Sequence, residues 1–206
     1  MSPIYRKNAG ILVSLFAAVM LCAGCSTNPK IDRIEANTVT DLSGDWNDTD
    51  SRLVAEEMIQ DSLSHPWLAN YTRAKHKQPV VIVGEVRNLS HEHINVDTFV
   101  NDMERALINS GRVEFVASRD ERGEIREERL DQDLNAREDT RKAAGQEIGA
   151  DFMLKGTINT IIDAIDKQQT RYYQVDLTLI SMADNRKVWT GQKKIKKAIK
   201  NPKYRF

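Results

Sequence analysis

The fold is decided by three consecutive stretches near the end of the chain: residues 151–162 (DFMLKGTINTII), 171–181 (RYYQVDLTLIS) and 187–195 (KVWTGQKKI). All three contain many β-branched or aromatic residues. The second alternates apolar and polar side chains with the period of two that a half-buried strand requires. Because residues 183–186 (ADNR) form a turn-type sequence, the pattern predicts strands connected as an antiparallel meander.

Two shorter stretches and a helix precede the meander. Residues 79–84 (PVVIVG) are a β-branched run bounded by proline and glycine, and residues 113–116 (VEFV) form a second short strand. Between them, residues 96–109 repeat apolar side chains with the helical period, and Gly111 is the expected C-terminal cap. The sequence therefore predicts an α+β fold with a mixed or antiparallel sheet of about four to five strands, flanked by helices.

Other segments predict further helices. A helix over residues 52–63 should begin at an N-cap, Asp48 or Thr49, and should end before His65-Pro66. Residues 118–142 begin with a capping box and are densely charged, which predicts an exposed, salt-bridged helix with a mobile segment. A last helix is expected over residues 138–148.

The N-terminus has the features of a lipoprotein signal. Two basic residues, Arg6 and Lys7, precede an apolar run of about a dozen residues, which is shorter than a membrane span. The run ends in Ala23-Gly24-Cys25, like the lipobox of bacterial lipoproteins. We expect cleavage before Cys25 and acylation of that cysteine, which would anchor the protein to a membrane.

The expected organisation follows from this signal. Residues 1–24 are the signal peptide, residues 25–42 a short lipid-anchored linker, residues 43–200 the periplasmic domain and residues 201–206 a basic tail. Ser26 follows the cysteine, as in lipoproteins sorted to the outer membrane of enteric-type bacteria, so we expect an outer-membrane protein that faces the periplasm.

Charge argues against nucleic acid as a partner. Removing residues 1–24 takes Arg6 and Lys7 from the 30 basic residues and leaves all 30 acidic ones, so the mature chain has a net charge of −2. Residues 193–206 nevertheless carry seven basic residues and no acidic one. This run is either a solvated end or a contact for an anionic partner.

The sequence contains no recognisable catalytic or cofactor motif. Glycine-rich phosphate loops and a GxSxG elbow do not occur, and Cys25 is the only cysteine left after cleavage. His91 and His93 would share one side of an extended segment and provide weak support for a metal-dependent enzyme. Our prediction is a non-enzymatic protein without a catalytic residue, metal or cofactor.

Binding residues are sought among exposed aromatic and charged positions. Trp46, Asp48 and Arg52 lie in an unusual polar segment (LSGDWNDTDSR, residues 42–52), and tryptophan and arginine are enriched in binding hot spots. Tyr172 and Tyr173 in the meander form a second candidate pair. The alternative is that these side chains serve packing and helix capping.

A resemblance to a known family rests on an ordered set of segments. With the lipobox, these are residues 43–52 (SGDWNDTDSR), 80–88 (VVIVGEVRN), 106–116 (ALINSGRVEFV), 150–157 (ADFMLKGT) and 188–191 (VWTG). In this order they resemble the LpoB family of lipoproteins. The resemblance implies a protein that docks on the periplasmic part of a bifunctional penicillin-binding protein and activates this peptidoglycan synthase allosterically.

One feature departs from the enteric members of that family, because the long proline-rich linker is missing. The tether from Cys25 to about Leu42 extends to ~60 Å at most. Two alternatives therefore stay open: a CsgG-like secretion or structural lipoprotein, and another periplasmic partner-binding module.

Overall fold

The protein was analysed as a computed structural model that describes residues 31–200. The expected signal peptide, Cys25 and the expected basic tail over residues 201–206 lie outside the described residues. The chain divides into two units between Thr38 and Val39. In the first, the Thr38 amide donates to the Glu35 carbonyl at 3.0 Å and closes a turn. The second contains all the helices and strands described below, and it includes residues 39–42, which the sequence analysis assigned to the linker.

The elements alternate helices with strands and then end in three long strands. They are, in chain order, α1 (Asp48–Ser64), α2 (Pro66–Lys75), β1 (Val80–Asn88), α3 (Val96–Asn109), β2 (Glu114–Phe115), α4 (Arg119–Asn135), β3 (Phe152–Ile165), β4 (Gln168–Ser181) and β5 (Lys187–Lys200). None of the helices within residues 31–200 is long and apolar enough to cross a membrane.

The strands form one five-stranded mixed sheet in the order β2-β1-β3-β4-β5. β1 runs parallel to both β2 and β3, whereas β3, β4 and β5 are antiparallel neighbours. The predicted α+β class and the closing meander are therefore confirmed. The strands of the meander are longer than predicted, because the β3–β4 turn occurs only at Asp166, where the backbone has a φ of 49°.

Two details of the predicted helices were wrong, and one helix was missed. The N-cap of α1 is Asn47, neither Asp48 nor Thr49, because Asn47 and Asp50 form a reciprocal capping box. His65-Pro66 does end α1, but Pro66 also begins α2, where its missing N–H and fixed φ suit the first helical position. Residues 138–148 contain no helix; they are exposed, and without an apolar face to pack a short helix is unstable.

The basic run over residues 193–206 begins within the folded domain and not in a solvated end. Its first five lysines belong to the last strand: Lys193, Lys194, Lys196, Lys197 and Lys200. Because side chains alternate along a strand, these lysines divide between the two faces of the sheet.

The hydrophobic core lies between one face of the sheet and three helices, α1, α2 and α3. Along β4 the odd-numbered positions from Arg171 to Ser181 are buried and the even-numbered positions are half-exposed. From the helices, Phe99 and Val54 have no exposed surface, and Trp67 contacts Phe152 edge-on at 5.2 Å. Burial of each such side chain stabilises the fold by roughly 1.5–3 kcal/mol.

The meander extends beyond the rest of the sheet. β1 pairs with β3 only as far as Asn88, opposite Ile158, whereas β3 continues to Ile165. Beyond that point the sheet has three strands: residues 159–165, 168–174 and 194–200, called the arm below. One face of the arm is in line with the helix-covered face of the sheet, and the other is the open face.

A substitution at Gly156 on β3 can test how tightly this sheet is packed. A β-carbon at Gly156 would lie 2.7 Å from the Asp176 carbonyl oxygen and would also collide with the Leu177 side chain. We expect Gly156→Ala to lower the free energy of unfolding by about 2 kcal/mol in urea denaturation. Gly123→Ala in α4, where nothing lies within 4 Å, should be neutral or stabilising by up to about 1 kcal/mol. Equal stability of the two variants would contradict this packing.

Candidate functional site

The candidate site is formed where the segment before α1 crosses the arm. This N-terminal segment, residues 40–47, lies on the helix-side face of the arm. The Gly44 backbone approaches Ile199 so closely that a β-carbon would collide with the Ile199 side chain. The Tyr173 hydroxyl lies 2.9 Å from the Gly44 carbonyl oxygen. A larger residue at this position would force the Ile199 side chain to move, so glycine suits the position.

Trp46 uses both of its N–H groups and its ring for contacts within the domain. Its backbone N–H donates to Glu92 Oε2 at 2.9 Å, and its indole Nε1 donates to Ser51 Oγ at 2.7 Å. The ring meets that of Tyr173 edge-on at 5.6 Å and 65°. Trp46 thus attaches the N-terminal segment to α1, to the loop after β1 and to the meander at once.

Glu92 is the acceptor at the centre of the site. Its Oε1 accepts from Tyr173 Oη at 2.5 Å and from Arg171 Nη1 at 2.6 Å, and Arg171 also pairs with Asp45. Arg171 is 8% exposed, and the Glu92 side chain retains 12% of its surface. Because charges buried to this extent require partners, the cluster stabilises the domain only while it is complete.

The loop that carries Glu92 is itself held by side chains. Asn88 Nδ2 donates to the Glu92 carbonyl at 2.7 Å, and Ser90 Oγ donates to Asn88 Oδ1 at 2.6 Å. His91 and His93 flank Glu92 and are exposed. Within residues 31–200 no group of three or more His, Cys, Asp or Glu side chains is arranged to hold a metal ion.

A second cation, Lys197, binds the other end of the segment. Its Nζ donates to Asp50 Oδ2 at 2.6 Å, to the Asp45 carbonyl at 3.0 Å and to Asp41 Oδ1 at 3.2 Å. Asn47 also donates to Asp41, and together Asn47 and Lys197 lower the pKa of the Asp41 carboxyl. Asp50 therefore caps α1 and pairs with β5 at the same time.

The structure separates the five residues that the sequence suggested for partner binding. Trp46 and Tyr173 are in contact, but Tyr173 is fully buried and supports Trp46 from beneath. Asp48 is exposed in the first turn of α1, and Arg52, half-buried one turn later, lies 3.4 Å from Glu56. Tyr172 lies on the open face of the arm. These residues therefore do not form one continuous surface.

Sequence reasoning missed Glu92, Arg171, Asp50 and Lys197. One signal was available: Arg171, Tyr173 and Val175 occupy alternate positions of β4, so all three side chains project to the same, buried face. A charged residue on that face must meet an opposite charge. Which acidic residue would meet it depends on the path of the loop after β1, and that path has no periodicity to indicate it.

Removing Glu92 should release the N-terminal segment. Glu92→Ala leaves Arg171 with fewer partners and the Trp46 amide without its acceptor, so we expect a loss of about 3 kcal/mol in unfolding free energy. Hydrogen exchange at the Trp46 amide should become faster than in the unmodified protein, while the amides of α1 change less. Glu124→Ala, at an exposed position of α4, should change stability by less than about 0.5 kcal/mol. A Trp46 amide that stays protected in Glu92→Ala would refute this arrangement.

Tyr173 should make the stability depend on alkaline pH. Burial, and next the Glu92 carboxylate, raise the pKa of Tyr173 above its ordinary value of 10.0. Above pH 10 the unfolded chain loses the phenolic proton while the folded chain keeps it, so this contribution is complete below pH 10 and declines above it. Between pH 9 and 11 the protein should lose roughly 1 kcal/mol more than Tyr173→Phe in urea denaturation. Equal losses of stability in the unmodified protein and in Tyr173→Phe would show that Tyr173 ionises as easily in the folded state as in the unfolded state.

Comparisons with known proteins identify the family. A family described as "Peptidoglycan-synthase activator LpoB" matches residues 50–195, which span the chain from α1 into β5. No curated protein sequence matches the chain.

Similar solved structures include two of LpoB and one of another lipoprotein. The Escherichia coli LpoB structure determined by NMR is 13% identical, with 87% of this chain and 86% of that chain covered and a TM-score of 0.39. The C-terminal domain of LpoB from Salmonella enterica is 14% identical, with 63% of this chain and 93% of that chain covered and a TM-score of 0.36. The lipoprotein GNA1162 from Neisseria meningitidis is also 14% identical, with 58% of this chain and 83% of that chain covered and a TM-score of 0.36.

The resemblance inferred from the ordered sequence segments is confirmed by the family match, which covers well over half of the chain. This chain belongs to the peptidoglycan-synthase activator LpoB family.

Proposed function

We propose that this protein is an outer-membrane lipoprotein that binds a bifunctional penicillin-binding protein and activates it without catalysing a reaction. The observation that carries the proposal is the match of residues 50–195 to the peptidoglycan-synthase activator family. The match includes Glu92, Arg171 and Tyr173 of the site, all of β3 and β4, and β5 as far as Ile195. The acidic and basic side chains of that site are bonded to one another, which suits a binding domain better than acid–base catalysis.

Anchoring is proposed to occur through acylated Cys25, after removal of residues 1–24. Each buried CH₂ group contributes about 0.8 kcal/mol, so the acyl chains of a lipoprotein hold it stably at a membrane. The folded domain begins close to this anchor. Asn47 Nδ2 donates to the Thr40 carbonyl at 3.3 Å, and Cys25 lies 15 residues before Thr40.

The short tether limits where the partner can be met. Fifteen extended residues cover about 50 Å, and a relaxed chain of this length covers roughly 20 Å. A synthase anchored in the inner membrane must therefore bring its periplasmic part to within this distance of the outer membrane. Glu92 and Lys197 hold residues 40–47 against the domain. These residues therefore add no length to the tether.

Activation requires a preference for one state of the synthase. A bound protein shifts a conformational equilibrium only by the difference between its affinities for the two states. We therefore propose that the domain binds the active form of the synthase more tightly than the inactive form. Asp48, Arg52 and Trp46 around the start of α1, and Tyr172 on the open face of the arm, are the candidate contact residues.

The decisive experiment measures glycan polymerisation and peptide cross-linking by purified bifunctional penicillin-binding proteins from the same organism. Adding the acylated protein in detergent should raise the rate with one of them by about fivefold or more, the lower end of common coupling strengths. The chain beginning at Ser26 should stimulate equally in detergent, because the anchor supplies location and the domain supplies the contact. No stimulation of any of these synthases would refute the proposal, and membrane-inserted oligomers would favour the CsgG-like alternative.

A further inference from the structure

The open face of the arm combines exposed apolar side chains with lysines that form no ion pair within residues 31–200. We propose that this face, formed by Ile161, Ile165, Tyr172, Lys194, Lys196 and Lys200, docks an acidic protein surface that has an apolar centre. The inference rests on the proposed function and deepens it, because the partner that it assigns to this face is the periplasmic part of the synthase.

The strand register places these residues together. Ile161 pairs with Tyr172, which pairs with Lys196, so the three form one row across the arm. Two residues further along each strand the row is Asp163, Thr170 and Ala198, and the last row is Ile165, Gln168 and Lys200. Paired residues project to the same side of a sheet, and this side is opposite to Tyr173, Trp46 and the helices.

The apolar residues of this face are exposed to an unusual degree. Ile161 is 64% exposed and Ile165 is 72% exposed. Both are large aliphatic side chains on one strand, about 13 Å apart at the rise of a β-strand. Two such residues beside a half-exposed tyrosine form an apolar centre that is large enough to be covered by a partner.

The lysines of β5 differ in their ion pairs between the two faces of the sheet. On the helix side, Lys193 pairs with Glu57 and Lys197 pairs with Asp50, so their charges are neutralised within the domain. On the open face, Lys194, Lys196 and Lys200 form no ion pair with any residue between 31 and 200, and Asp163 is the single acid among the rows of the arm. The open face therefore has a net positive charge that an acidic surface would complement.

The inner part of the same face has a different composition. There Asp176 adds an acidic group, which accepts from Gln174 Nε2 at 2.8 Å and from Gln192 Nε2 at 2.7 Å. Lys155 of β3 and Arg87 of β1 are also exposed on this part of the face. The two exposed isoleucines and the three exposed lysines of β5 lie together on the arm.

Protection of a sheet edge explains only part of this pattern. Lysines on an edge strand discourage pairing with other chains, and β5 is an edge strand. That role does not account for Ile161 and Ile165, because they lie on β3, along the opposite edge of the arm. Exposed isoleucines there would promote association unless a partner covers them.

The mixture of groups favours a protein over a membrane surface as the occupant. Asp163 lies between the two isoleucines, and an anionic bilayer would repel it. Gln168 and Thr170 offer hydrogen-bonding groups beside the apolar centre. A protein surface can satisfy those groups with its own donors and acceptors, whereas the apolar part of a bilayer cannot.

The test compares two arm variants with a control of equal charge. Lys194→Glu/Lys196→Glu/Lys200→Glu reverses the basic group, and Ile161→Thr/Ile165→Thr removes the apolar centre while keeping β-branched side chains. The control, Lys75→Glu/Lys142→Glu/Lys187→Glu, makes the same change of charge at exposed lysines outside the arm. Urea denaturation establishes that each variant is folded, and surface plasmon resonance at two salt concentrations measures binding to the synthase that the unmodified protein activates.

We expect the lysine variant to bind at least about tenfold more weakly at low salt, with a smaller salt dependence, and the isoleucine variant about fivefold more weakly. The control should stay within about twofold of the unmodified protein. If the unmodified protein binds and both arm variants bind equally well, the inference is wrong while the proposed function stands.

Three other results would also overturn the inference. Absence of binding by the unmodified protein to every synthase would refute the proposed function and the inference together. Weaker binding of Asp48→Lys/Arg52→Glu, with unchanged arm variants, would move the contact to the start of α1. Arm variants that lose binding only to phosphatidylglycerol vesicles, or only to isolated peptidoglycan, would assign the face to that surface and not to the synthase.

Discussion

The buried ion pair between Glu92 and Arg171 is the interaction on which the N-terminal part of the domain depends. Arg171 lies in the inward phase of β4, where an unpaired guanidinium would be strongly unfavourable. Glu92 meets it from the loop after β1 and also receives the Trp46 amide and the Tyr173 hydroxyl. One carboxylate thus joins three distant parts of the chain, and the position of residues 40–47 follows from that requirement.

The long meander gives the domain two unlike faces. Helices α1, α2 and α3 cover the side that carries Phe152, Leu154 and Leu177. The opposite side carries polar side chains and apolar side chains that remain partly or largely exposed. Beyond Ile158 the arm has only three strands, and its helix-side face is covered by the N-terminal segment instead of a helix. The open face of the arm is therefore exposed, while the N-terminal segment, residues 40–47, lies on the reverse side.

This arrangement relates the tether to the proposed activation. The chain enters the domain at the arm, so the same three strands hold the end of the tether and offer the exposed lysines. A partner bound to the open face would meet the domain on the side opposite to its attachment. The proposed tether would then restrict the distance to the membrane without blocking the proposed contact, since Glu92 and Lys197 hold residues 40–47 against the other face.

The sequence by itself determined the class of fold, the three antiparallel strands, the helix over residues 96–109 and the family, because periodicity and an ordered set of segments express these locally. It did not indicate where β3 would end and β4 begin, since residues 163–170 are mostly polar and their two apolar residues, Ala164 and Ile165, do not alternate with polar ones. Helix capping by Asn47 was missed because three neighbouring residues, Asn47, Asp48 and Thr49, are all good caps. Only the tertiary structure decided among them, since Asp50 had to reach both Asn47 and Lys197.

The same division holds for the site. Trp46 stood out in the sequence, and its chemistry allowed either packing or partner binding. Glu92, between two histidines, gave no sign of its role, and a lysine on β5 looked the same whether it faced α1 or solvent. Burial, strand register and the path of one loop assigned these roles, because an ion pair is a property of two distant residues that only folding brings within hydrogen-bonding distance.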